Sequence, residues 1–188
     1  MMDRRNAIKQ ASYLLGMAVS GPTLVGVLDG CTADAQPDWQ PVFLSSEEVK
    51  LTTAASDRII PGASEAGVPQ FIDVMLSEYY QPDGQEQFRS GLAALEAQSQ
   101  AILLKRFIDG SEIEQDQVLS EQAAMAKQQL QASPESPKHF FLLIKELTLL
   151  GFFTSEIGAT QVLQYDEIPG GFQGCAPLDS LGGKTWAT

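Results

Sequence analysis

The sequence predicts an all-α fold: a compact bundle of five or six helices with an irregular C-terminal tail. Three observations carry that expectation. Apolar residues between positions 45 and 165 recur at three- and four-residue spacing, the period of a helix with one buried face. No run of useful length alternates apolar and polar residues as a half-buried strand does. From Asp166 onward Pro169-Gly170-Gly171, Gly174, Pro177 and Gly182-Gly183 forbid long regular elements.

Each helix has its own signals. Ser45-Ser46-Glu47-Glu48 reads as a capping box, with Ser45 as N-cap and Glu48 three residues on. The helix it opens carries Val49, Leu51, Ala54, Ala55, Ile59 and Ile60, and Pro61-Gly62 stops it. A second helix starts near Pro69, a residue suited to a first helical turn, and puts Phe71, Ile72, Met75, Leu76 and Tyr79 on one face. A third is expected over 85–108, with Phe88, Leu92, Leu95, Ile102, Leu103 and Phe107 inward and Asp109-Gly110 as its stop. The fourth is expected over 116–131, with Val118, Leu119, Ala123, Met125, Ala126 and Leu130 inward. Ser133-Pro134-Glu135-Ser136-Pro137 breaks the chain. The fifth, over 138–154, is apolar nearly all round apart from Lys145-Glu146, which places it at the centre of the domain. It is too short to span a bilayer. A shorter helix is expected over 155–165.

Residues 1–30 have the layout of an export signal. Arg4-Arg5 is followed by Ile8-Lys9 and by a weakly apolar run from Ala11 to Leu28, diluted by glycines, Ser20 and Pro22. The paired arginines resemble a twin-arginine signal, whose route carries folded proteins; Ala7 stands where such signals usually have an aromatic residue. Two processing sites compete. Leu28-Asp29-Gly30-Cys31 resembles a lipobox, which would acylate Cys31 and tether the protein to a membrane, although Asp29 fits it poorly. Ala33-Asp34-Ala35 would instead release a soluble protein from Gln36. Residues 31–44 form a linker, and 45–188 a single helical domain with its tail starting near 166.

The formal net charge is −12, and the leader, with Arg4, Arg5 and Lys9 against Asp3 and Asp29, leaves the remainder more acidic still. Such a surface argues against nucleic acid and against electrostatic docking on anionic lipid. Either processing site leaves Cys175 without a partner in its own chain. In an exported protein that means a buried thiol or a bond to another chain.

Residues that carry chemistry are sparse. His139 is the single histidine, so a zinc site or a catalytic triad has no natural set of ligands or bases. Its place at the start of the central helix suits a structural role. Gly182-Gly183-Lys184-Thr185 ends like a phosphate-binding loop, but Leu178 stands where that motif needs its first glycine. Asp109, Glu112, Glu114 and Asp116 read as a solvated connection between helices, without the ligand spacing of a calcium loop. The carboxylates Glu78, Glu146 and Glu156 are of the kind ordinary helix surfaces carry. Folded export is useful when a cofactor is inserted or a partner bound beforehand. A chain without cofactor motifs therefore points to a partner.

Two segments go beyond composition. One is Ser56-Asp57-Arg58-Ile59-Ile60-Pro61-Gly62-Ala63, continuing through Glu65-Ala66-Gly67-Val68-Pro69 and Phe71-Ile72-Asp73-Val74-Met75-Leu76. The other is Phe140-Phe141, Lys145-Glu146-Leu147-Thr148 and Gly151-Phe152-Phe153-Thr154-Ser155-Glu156 with Gly158, then Leu163-Gln164-Tyr165, Pro169-Gly170, Gly174-Cys175 and Pro177. Both resemble the gluconate 2-dehydrogenase subunit 3 family, over roughly residues 43–178. The resemblance implies a non-catalytic, periplasmic accessory subunit, anchored by its own lipid or through the complex. It would bind, stabilise and help export a large sugar or sugar-acid dehydrogenase. FAD is expected in that partner and no cofactor in this chain; a haem-bearing cytochrome subunit often completes such assemblies. One departure is visible: Pro61 runs directly into Gly62-Ala63, where family members carry extra residues.

Gly151 is expected to let helices approach closely, with Ile59-Ile60 and Phe71-Ile72 packing near Phe152-Phe153. Tyr165, Pro169, Gly170 and Cys175 in the tail, together with Gly62, Ala63, Gly67 and Val68 in the 62–69 loop, are the expected partner interface. The alternatives are a stand-alone periplasmic lipoprotein or an assembly chaperone that binds the dehydrogenase transiently. An enzyme in its own right would need an acid–base set that the sequence does not offer.

Overall fold

A computed structural model describes residues 39–168, 170–171 and 175–187, and the helical domain begins at Pro41. Among the described residues the fold is all-α, with five α-helices. These are α1 (Ser46–Ile59), α2 (Val68–Glu78), α3 (Pro82–Leu103), α4 (Glu112–Ala132) and α5 (Phe140–Thr154). Short 3-10 turns at Phe107–Asp109 and Leu178–Leu181 and a π turn at Gly158–Val162 complete the regular structure.

α5 is the central helix and touches each of the other four. Phe140, Leu143, Ile144, Leu147, Thr148, Gly151 and Phe152 are its buried positions. Around it the core is filled by Ile72 and Leu76 from α2, Phe88, Leu92 and Leu95 from α3, and Val118 from α4, all at most 2% exposed. Two glycines set how closely helices meet. A Cβ on Gly91 of α3 would stand 2.2 Å from the Phe140 ring, and one on Gly151 would stand 2.7 Å from Phe71. Phe140 also packs edge-on against Phe88, with ring centroids 5.4 Å apart. Gly151 thus allows the close approach expected of it, with Phe71 of α2 as the side chain that fills the space.

The capping box at α1 forms as expected. Glu48 N–H donates to Ser45 Oγ (3.3 Å), and Ser45 N–H donates to Glu48 Oε2 (2.8 Å).

Two helix boundaries differ most from the expectation, for identifiable reasons. α3 stops at Leu103 instead of running to 108, because Leu104 turns left-handed (φ 57°). Side chains then replace the lost helical bonds: Glu96 accepts Phe107 N–H (3.1 Å), and Ser99 Oγ donates to Lys105 C=O (3.0 Å). This reversal drives Phe107 fully into the core.

α4 starts at Glu112, a turn before the expected 116. Glu114 reaches back to Ser111 N–H (2.7 Å), so the supposed acidic connection is the first turn of a helix. Carboxylates there complement the helix dipole. Glu112 and Asp116 also hold Arg58 of α1, at 3.0 and 2.9 Å. Further along α4, Met125 (42% exposed) and Leu130 (55%) lie outside the core, contrary to expectation.

The helix expected over 155–165 is cut short. The π turn takes its place, with Gly158 so close to α5 that a Cβ would fall 1.9 Å from Phe152 C=O.

Candidate partner-binding surface

The segment entering the domain is fixed by a single buried carboxylate. Asp73 on α2 is fully buried and accepts the backbone N–H groups of Val42 (2.7 Å), Phe43 (3.0 Å) and Leu44 (2.7 Å). Charge-assisted bonds of this kind satisfy a carboxylate that would otherwise be costly to bury. Arg89 of α3 adds a second hold. Its guanidinium lies 4.1 Å from the centre of the Phe43 ring and donates to Phe43 C=O (2.7 Å). Asp73 lies inside the resemblance motif, yet nothing in the sequence marks it as the acceptor for three amides thirty residues upstream.

The 62–69 loop follows α1. Gly62 (φ 84°) and Gly67 (φ 74°) occupy left-handed backbone, which L side chains rarely adopt. Asp57 steadies the loop by accepting Ser64 N–H (2.8 Å). Ala63 and Val68 are fully buried, so they face the core and are closed to any partner. Here the structure corrects the expected interface: the loop turns outward through Pro61, Ser64 and Glu65, with Gly62 and Gly67 half-buried.

Beyond α5 the chain doubles back on itself. Gln164 N–H donates to Thr185 C=O and Ala187 N–H to Gln164 C=O, both at 2.8 Å, which sets Gln164 beside Trp186. A pocket of about 470 Å³ beside this pairing is lined in part by Leu163, Gln164, Tyr165, Leu181 and Lys184. Tyr165 (58% exposed), Gly170 and the free thiol of Cys175 face solvent. Ile168, Leu178 and Trp186 add apolar exposed surface to the same tail. Of the expected site residues, Arg4, Arg5, Cys31 and Pro169 lie outside the described residues.

Sequence reasoning missed a second exposed apolar stretch. α5 is buried on most sides, yet Leu150 is 45% and Phe153 37% exposed, three residues apart on one side of the helix. Phe153 had been expected in the core with Phe152; instead it stands edge-on against Phe152, centroids 5.4 Å apart. Val74 on the neighbouring α2 is 41% exposed, one turn from the Phe71 that covers Gly151.

The polar groups of the domain hold helices together. His139 caps α5, its Nδ1 accepting Phe141 N–H (3.1 Å), and burial pushes its pKa below the ordinary value. That neutral ring is what an acceptor at a helix N-terminus requires. A pocket of about 290 Å³ between α1 and α3 contains Glu47, Glu48, Glu96, Arg89 and Arg106. Its carboxylates are engaged: Glu48 with Arg89 (3.4 Å), Glu47 with Arg106 (3.4 Å), and Glu96 with the amide of Phe107. Among the described residues no group of three potential metal ligands is present, and no helix is long and apolar enough to cross a membrane.

The family model described as Gluconate 2-dehydrogenase subunit 3 matches residues 46–170, from the first turn of α1 into the tail. No curated protein and no solved structure matches the chain.

Proposed function

Since the chain belongs to the gluconate 2-dehydrogenase subunit 3 family, we propose that it is a non-catalytic accessory subunit. It binds and stabilises a large FAD-dependent sugar or sugar-acid dehydrogenase and helps carry it out of the cytoplasm. FAD belongs to the partner, and a cytochrome subunit is a further candidate member of the assembly. The family match carries the reading. The engagement of His139 and of the pocket carboxylates in structural bonds supports it, because catalysis needs acids and bases free to exchange protons.

Arg4-Arg5 would direct export of the folded complex to the periplasm. Cys31 would anchor it by a lipid if the chain is processed there. The tail with Tyr165, Gly170 and Cys175, and the outward part of the 62–69 loop with Gly62 and Gly67, are the surfaces assigned to the partner. Exposed Cys175 is suited to an intersubunit disulfide. An assembly chaperone is the second reading, and permanence separates the two.

The test is a mild-detergent pull-down of the tagged protein from its native membranes, followed by absorbance and non-reducing gels. A stoichiometric companion with a flavin spectrum is expected. A thiol-sensitive joint band would identify Cys175 as the link. A colourless single-chain eluate would refute the permanent-subunit reading.

A further inference from the structure

α5 ends in a rigid apolar ridge that its own domain leaves uncovered. From Leu147 to Ser155 the chain carries no charged residue, although the whole protein has 24 acidic and 12 basic ones. Leu150 and Phe153 project from this stretch; Val74 (41% exposed) lies on α2, the helix whose Phe71 packs on Gly151, and Val162 (45% exposed) lies on the π turn folded against α5. The ridge is preorganised. Phe153 leans edge-on against buried Phe152, and Thr154 Oγ1 donates to Leu150 C=O (2.7 Å). Ser155 Oγ donates to Phe152 C=O (2.7 Å) and accepts Gly158 N–H (3.0 Å), locking the π turn in place. Rigid aromatic and aliphatic side chains held this way lose little entropy when covered.

Charge decides among the occupants. A net charge of −12 sets two copies of this chain against each other and against an anionic bilayer. The ridge is also flanked by acid: Glu156 follows Phe153 by three residues and Glu78 follows Val74 by four, both exposed. An apolar centre with an acidic rim fits a different protein, one whose facing surface is apolar with a basic border.

We infer that the Leu150–Phe153 ridge of α5, with Val74 of α2, is a docking face for the dehydrogenase subunit, separate from the tail and the 62–69 loop. The inference rests on the accessory-subunit reading. Its test uses the full-length tagged chain in its native membranes, carrying L150E, F153E or, as an exposed control at the start of α4, I113E. Thermal melts of each variant confirm folding. The expected result is that co-purified flavoprotein falls at least about tenfold for L150E and F153E and stays within about twofold for I113E. A photo-crosslinking residue at position 150 is expected to join this chain to that flavoprotein.

Flavoprotein captured by the wild type and equally by both ridge variants, with no crosslink from position 150, overturns the inference and leaves the subunit reading standing. A wild-type homodimer that F153E dissolves also overturns it, by assigning the ridge to a second copy. Wild-type eluate without flavoprotein overturns both.

Discussion

Asp73 is the one fully buried carboxylate among the described residues. Its three amide partners span 42–44, and they hold the entry segment against α2 while the carboxylate stays fully buried. Hydrogen bonds to a charged acceptor contribute about 1.5–3 kcal/mol each, and loss of the acceptor leaves its donors unsatisfied. Asp73→Asn keeps the volume but replaces one acceptor oxygen with an N–H₂ that faces donors. Urea denaturation is expected to show a loss of about 2–4 kcal/mol. An unchanged midpoint would mean that the three bonds are readily replaced by water. Nothing in a single sequence distinguishes such an aspartate from its surface counterparts, since its partners lie about thirty residues away and are backbone atoms.

At the scale of helices, close approach through glycine sets the cost of a methyl group. In Gly91→Ala the new Cβ meets Phe140, a nearly buried ring that cannot retreat. Overpacking of about 1–3 kcal/mol then outweighs the gain of about 1 kcal/mol in helix propensity. Gly151→Ala meets Phe71, which is half-buried and has room to turn, so a net change within about 1 kcal/mol is expected. Comparing the two variants by chemical denaturation checks the order.

The corner between α3 and α4 makes a second prediction. Lys105, at 2.8 Å, and the N–H and hydroxyl of Ser111 pull the Glu114 carboxyl from 4.5 down to about 2. A depressed carboxyl contributes stability above its unfolded value, and that contribution is lost as pH falls from about 4.5 through about 2. In an acid titration followed by circular dichroism, Glu114→Gln is expected to remove part of the stability change in that window. Helix periodicity and the Ser45 capping box were legible in the sequence because they are local. The break at Leu104 was not, since it depends on Glu96 and Ser99 replacing helical bonds so that Phe107 can be buried. The early start of α4 was obscured by reading four acids as a solvated connection, although a serine followed three residues later by a glutamate was there to be seen.

For the molecule as a whole, the bundle and the tail separate cleanly. Among the described residues every core apolar side chain lies between Leu44 and Phe152, whereas the tail is pinned at Gln164 by backbone bonds to Thr185 and Ala187. Deleting 176–188 is therefore expected to shift the thermal midpoint of the bundle by only about 2–4 °C, the equivalent of about 1 kcal/mol. The same deletion is expected to weaken dehydrogenase capture in the pull-down. A collapse of the bundle would show instead that the tail is part of its core. Family motifs pointed to the loop and the tail as a binding region, but which residues face outward follows only from the packing. Ala63 and Val68 turn in, while Leu150 and Phe153, inside an almost wholly apolar helix, turn out.

The Asp73 clasp also has a mechanical meaning. Load arriving from the chain ahead of Val42 is met first by three amide–carboxylate bonds on α2 and by the Arg89–Phe43 stack on α3, before it can peel α1 from its cap. The domain is thus moored through two helices of its bundle. A pull on the leading segment would drag the folded body as a unit instead of unravelling it from its first helix.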